Sequence, residues 1–133
     1  MSGFQSVRQW MATSTLAHVG FAFLAMGAWA LFANRAHALP QALLAALVQG
    51  TISAVLTLFL KKFLEWVSAR LRGLPALIVP PLITASAILA ILVSAHTLAG
   101  TPEILATIAV PFTVSTSYAI VYNWGLWRRA HGR

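Results

Sequence analysis

Four long apolar runs dominate this chain, at approximately residues 10–33, 40–60, 77–99 and 102–122. Crossing a hydrocarbon core of about 30 Å takes roughly 20 helical residues. Each run is therefore a candidate transmembrane helix, and too little chain is left over for a soluble domain. Composition agrees: with 59% hydrophobic and 8% charged residues among 133, and a mean hydropathy of +0.81, polar surface is too scarce to cover a soluble globule of this size. There is no cysteine, so disulfides and thiolate metal sites drop out. The expected fold is an all-α membrane protein, residues 1–133 forming a single four-helix transmembrane domain.

Local chemistry sets the expected helix limits. Thr101-Pro102-Glu103 offers a capping hydroxyl, a first-turn proline and an acid near the positive helix end, and Pro40-Gln41 echoes it. The pair Pro80-Pro81 predicts the start of the third helix, because prolines disrupt a helix interior. Pro111 falls inside the fourth run, where a kink and a freed carbonyl are expected. Arg8, an apolar run and Ala36-His37-Ala38 together look like a cleavable signal. The run of about two dozen residues exceeds the 7–15 of a signal's apolar region, so it is expected to stay as a helix.

A net charge of +7 invites a nucleic-acid reading, but here the cations flank apolar segments instead of covering a folded face. With both termini cytoplasmic, Arg8, Lys61, Lys62, Arg70, Arg72, Arg128, Arg129 and Arg133 lie inside and only Arg35 outside. That asymmetry satisfies the positive-inside rule and argues against dual topology. No nucleic-acid partner is expected.

The chain also repeats itself. Under a shift of 62 residues Pro40 falls on Pro102, Val48 on Val110, Thr51 on Thr113 and Ser53 on Ser115, with Gln41 against Glu103. This predicts two parallel helical-hairpin repeats, about 8–72 and 73–133, related by an axis along the membrane normal. The stretch KKFLEWVSARLR, Lys61 to Arg72, then ends the first repeat, and NWGLWRRAHGR, Asn123 to Arg133, ends the second. In the first stretch Phe63, Leu64, Val67 and Leu71 oppose Lys61, Lys62, Glu65, Ser68 and Arg72, the pattern of an amphipathic surface helix. In the second, Trp124 and Trp127 precede Arg128 and Arg129. Aromatics with cations at one interface anchor topology in many membrane proteins; they also suit a rim that holds a lipid-linked phosphate. Both readings stand at this point.

No Asp, Glu, Lys or Arg falls in the middle of a run, which disfavours proton-coupled export. His18 lies about a third of the way into the first run, where a hydrogen bond to a neighbouring helix is expected. His37 and His96 lie towards the outer ends, where solvation is the simple expectation. Small residues at helical spacing predict packing ridges: Ala42, Ala46, Gly50 and Ala54; Ser86, Ala90 and Ser94; Ala109, Thr113 and Ser117. Glu65 and Glu103 fall on opposite membrane sides and cannot pair, and no metal-ligand spacing or glycine-rich phosphate loop is present. No enzyme activity, no cofactor and no metal are expected.

Two hairpins of about 60 residues, each with a proline near the start of its second helix and an aromatic, cationic finish, resemble the GtrA-like family of small four-span bacterial membrane proteins. The stretches that carry the resemblance are ALPQALLAALVQGTISAVLTLFLKKFLEW and AGTPEILATIAVPFTVSTSYAIVYNWGLWRR. Family members usually finish these helices with Asn-Arg and an aromatic, where this chain has Lys61-Lys62 and Asn123-Trp124. The resemblance implies a multi-pass protein of the bacterial inner (cytoplasmic) membrane that moves or presents polyprenyl-phosphate-linked sugars for cell-surface polysaccharide synthesis, beside a glycosyltransferase. Lys61, Lys62, Arg128 and Arg129 would then bind the substrate phosphate. The alternative is a non-catalytic accessory subunit whose small-residue faces dock a larger membrane complex; membrane lipids and further copies of the chain are partners compatible with either.

Overall fold

The computed structural model describes residues 2–132, excluding the side chains at positions 2, 4, 5, 7, 8 and 10–12. Arg8 and Arg133 thus lie outside the described side chains. Four helices follow one another: α1 (Ser2–Ala33), α2 (Leu39–Ser68), α3 (Leu74–Ala99) and α4 (Ile104–His131). No strand occurs among the described residues. All four contain stretches long and apolar enough to cross a membrane. At about 1.5 Å per residue they measure about 39–48 Å, so their ends extend past a hydrocarbon core.

Short turns make neighbours antiparallel. Tyr122 meets Glu65, so the end of α4 lies beside the end of α2; Asn34 meets Thr107, so the end of α1 lies beside the start of α4. Lys61, Lys62, Arg70, Arg72, Arg128 and Arg129 consequently gather at one end and Arg35 at the other. Glu65 and Glu103 also occupy opposite ends. Helices α2 and α4 touch across the bundle and separate α1 from α3.

The distribution of polarity is the reverse of a soluble bundle. Leu16, Phe21, Leu24, Phe59, Leu98 and Leu105 are all more than 60% exposed, whereas Asn34, Gln49, Thr84, His96, Thr107 and Asn123 are at most 2% exposed. Apolar side chains outside and hydrogen-bonding ones between helices are compatible with a multi-pass membrane protein, in which interhelical polar contacts replace the hydrophobic drive. The middle is nonetheless apolar: Ile88, Leu92 and Ile108 are enclosed by Ile52, Leu56 and Phe112.

Helix α2 fits against α1 through two glycines. A methyl group placed on Gly50 would stand 2.8 Å from the Phe23 carbonyl oxygen, and one on Gly27 would stand 3.1 Å from the Ala46 carbonyl oxygen. The ridge Ala42, Ala46, Gly50 and Ala54 thus serves an internal seam. The ridges of α3 and α4 do not: Ser86, Ala90, Ser94, Ala109, Thr113 and Ser117 all face outward. The inward face of α3 is instead Pro80, Thr84, Ile88, Leu92 and His96, an i+4 row that is bulkier and was hidden among many small residues.

Three sequence expectations about helix limits change. The Lys61–Ser68 stretch is not a separate surface helix but the last turns of α2, because nothing between Leu60 and Lys61 interrupts the backbone ladder. Helix α3 begins at Leu74, with Pro75 in its first turn, and carries Pro80-Pro81 in its interior. Thr101 does not cap α4; its hydroxyl pairs with His96, and the Glu103 N–H donates to Asn34 Oδ1 of α1 at 3.0 Å. Helix α4 runs continuously through buried Pro111. Gly100 closes α3 with φ 72°, a left-handed conformation that favours glycine.

Candidate functional site

The cationic end is built by the last turns of α2, the turn to α3 and the last three turns of α4. Its organising element is a row on α4 at four-residue spacing, Asn123, Trp127 and His131, which one helical face presents together. All three grip the beginning of α3. Asn123 Nδ2 donates to the carbonyls of Ala76 and Leu77 at 3.0 and 2.9 Å. Trp127 Nε1 donates to Gly73 O at 2.9 Å, and the Gly73 N–H donates to His131 Nε2 at 3.0 Å. With Nε2 accepting, His131 Nδ1 carries the proton and donates to Trp127 O at 3.1 Å.

This clamp explains how α3 tolerates two interior prolines. Pro80 and Pro81 lack the N–H groups that would reach back four residues to the carbonyls of Ala76 and Leu77. Those are the two carbonyls that Asn123 satisfies. Gly73, with φ 68° and ψ −145°, occupies a conformation essentially restricted to glycine, and it turns both of its backbone groups towards α4.

On the α2 side, Tyr122 donates its hydroxyl to Glu65 Oε1 at 2.5 Å and stacks on Tyr118 with centroids 5.5 Å apart. Lys61 Nζ stands 5.9 Å from the Tyr122 ring, and Arg129 faces the same hydroxyl. A cavity of about 610 Å³ opens beside them, lined by Glu65, Ser68, Arg72, Gly73, Leu126 and His131. The phenol-to-carboxylate bond ties α2 to α4, with Lys61 and Arg129 both turned towards Tyr122.

The four cations expected to share a phosphate are therefore divided. Lys61 and Arg129 both approach Tyr122 at the α2–α4 seam. Arg128, one residue before Arg129 and so turned by about 100° from it, lies over Trp124 at 4.9 Å on the side of α3. Lys62 is exposed and follows Lys61 by the same rotation on α2. Arg70 stacks 3.7 Å above Trp66 and donates to its carbonyl at 2.6 Å, a contact within its own turn that suits interfacial anchoring.

The opposite end holds a second polar assembly. Fully buried His96 meets Gln49 Oε1 at 2.8 Å through Nε2 and Thr101 Oγ1 at 2.7 Å through Nδ1, and Gln49 Nε2 donates to Ser53 at 3.0 Å. The expectation that His96 is simply solvated is wrong, because its place in the Thr84–Ile88–Leu92 row turns it inward. His37 behaves as expected: it is exposed at the turn and lies 3.0 Å from Glu103. His18 bonds Ser14 O of its own helix at 2.7 Å and not a neighbouring helix. Asn34 donates to Ala30 O and Thr107 Oγ1, both at 2.8 Å, fastening α1 to α4. Every partner in these sets is a side chain or backbone group of the bundle, so this end reads as a structural lock, whereas the cationic end has an open cavity and unneutralised charge.

No protein-family model, curated protein or solved structure matches this chain.

Sequence reasoning located the cations and Trp124 and Trp127 but missed the roles of Asn123, His131, Glu65 and Tyr122. A signal for the first existed: two freed carbonyls at residues 76 and 77 require donors, and Asn123 is a strong amide donor at the same membrane depth. Nothing in the chain order points to the Glu65–Tyr122 pair, which depends on how α2 and α4 are rotated.

Proposed function

We propose that this protein is a non-catalytic bacterial inner-membrane protein that engages polyprenyl-phosphate-linked sugars by their phosphate and translocates or delivers them to a glycosyltransferase. Both termini lie in the cytoplasm in this reading, and the two hairpins stand as parallel repeats. The observation that carries it is the gathering of Lys61, Lys62, Arg128 and Arg129 at the end where Arg72 lines an open cavity, since anionic headgroups are attracted by about 1 kcal/mol per cation. The middle of the bundle is filled by packed side chains, so in this reading the prenyl chain stays at its outer surface. The repeat reading accommodates one asymmetry, since Gly27 and Gly50 fall on Leu89 and Phe112 under the 62-residue shift, and the tight α1–α2 seam has no counterpart between α3 and α4.

Replacing Lys61, Lys62, Arg128 and Arg129 together by alanine is expected to abolish sugar-lipid transfer in reconstituted vesicles while leaving helix content unchanged. Transfer at the wild-type rate would reject the role.

A second reading is favoured by the outward ridges of α3 and α4. Ser86, Ala90 and Ser94, with Ala109, Thr113 and Ser117, present small and hydroxyl side chains to the surroundings, the composition of a helix-docking face. In that reading the chain is an accessory subunit. Gly50 is removed from the docking surface because it is occupied by Phe23.

A further inference from the structure

The outer surface of the α3–α4 seam carries a groove of about 480 Å³, lined by Leu77, Pro81 and Ala85 of α3 and by Thr116, Ile120 and Trp124 of α4. It is almost wholly apolar. From Trp124 it follows α4 for eight residues towards the membrane centre, about 12 Å at 1.5 Å per residue. Pro81 and Ala85 are short side chains between the larger Leu77 on one side and Ile78 and Leu82 on the other, which leaves the slot along this seam. At its cationic end the Arg128 guanidinium lies 4.9 Å from the Trp124 ring. An apolar slot that opens sideways to hydrocarbon and ends beneath a cation complements one molecule type: a hydrocarbon chain joined to an anionic phosphate.

We infer that this groove seats one hydrocarbon chain of an anionic phosphate-bearing lipid, with Arg128 against the phosphate and Trp124 at the junction of chain and headgroup. The inference deepens the proposed function and rests on that reading of the cationic end, but it moves the chain to the α3–α4 seam and separates Arg128 from Lys61 and Arg129. Ala85 sets the depth of the slot. Arg128 sets the preference for charge.

Contact quenching of Trp124 tests it with the full-length protein in phosphatidylcholine bilayers. Phosphatidylglycerol or phosphatidylcholine with dibrominated acyl chains is titrated in, and the contribution of Trp124 is the difference between wild type and Trp124→Phe. The expected result is half-maximal quenching at an about fivefold lower mole fraction of brominated phosphatidylglycerol than of brominated phosphatidylcholine, from the attraction of one cation. Arg128→Gln removes that preference and leaves quenching at the phosphatidylcholine level. Ala85→Phe, which fills the slot, reduces quenching by both lipids. Equal dependence on the two lipids in the wild type, which needs no variant to fold, overturns the inference and marks Trp124 as contacted by annular lipid only. A preference that survives both substitutions overturns it as well. Because this readout involves no sugar transfer, a charge preference at Trp124 together with unchanged transfer in the four-cation variant leaves the groove standing and removes the transport reading. Lost transfer without any preference does the opposite.

Discussion

Asn123→Ala is expected to destabilise the bundle by about 1–4 kcal/mol, because a buried and a part-buried carbonyl lose their donor, at about 1–3 kcal/mol for the fully buried one. The cost should be specific to its cause. Ala76 O and Leu77 O need Asn123 only because Pro80 and Pro81 have no N–H groups to give them. In a Pro80→Ala, Pro81→Ala background the α3 backbone supplies those donors itself, and the penalty of Asn123→Ala should shrink by about 1–3 kcal/mol, the coupling typical of groups that share partners. Unfolding curves in detergent for the four proteins of this cycle give the answer. An identical penalty in both backgrounds would mean that Asn123 acts through something other than the proline-freed carbonyls. Asn123→Asp is expected to be worse than alanine, since a carboxylate has no N–H to offer the two carbonyls and brings charge into a buried site.

Gly50→Leu has a comparably large expected effect for a different reason. Even a β-carbon on Gly50 would stand 2.8 Å from the Phe23 carbonyl oxygen and 3.1 Å from the Phe23 ring. The ring could rotate away; the backbone carbonyl could not without moving α1. Forcing extra methylenes into a packed seam costs about 1–3 kcal/mol or more, and here the strain falls on the contact that holds α1. Heat or detergent unfolding is therefore expected to shift strongly for Gly50→Leu, with α1 becoming accessible to protease before the rest. Ala90→Leu is the matched control: Ala90 faces outward, so its monomer should unfold as wild type does, whether or not a partner is lost. Equal destabilisation by the two changes would contradict the internal role of Gly50.

Much of the architecture was legible in the sequence because a bilayer imposes so few solutions. Apolar runs long enough to cross it, with cations at alternate ends, gave the number of helices and their alternation before any packing was considered. Chain order could not reveal helix rotation. The small residues of α2, α3 and α4 looked equivalent in sequence, yet only the α2 row, with Gly50, faces inward; α3 turns Thr84, Ile88, Leu92 and His96 to the core instead. The same rotation hides His96 with Gln49 and parts Arg128 from Arg129. Pro80-Pro81 misled because the rule against interior prolines concerns an isolated helix, and in this bundle Asn123 on α4 meets the need that the prolines create. The site was legible as a concentration of charge, not as a set of contacts.

Side-specific labelling of single-cysteine variants addresses the central claim most directly, since the chain has no cysteine of its own. Substitutions at Lys62 and Arg128, with Arg35 as the opposite marker, would be probed by a membrane-impermeant maleimide in oriented vesicles. The account predicts that positions 62 and 128 react from the cytoplasmic side and position 35 only from the other. Reaction of positions 62 and 128 from opposite sides would contradict it.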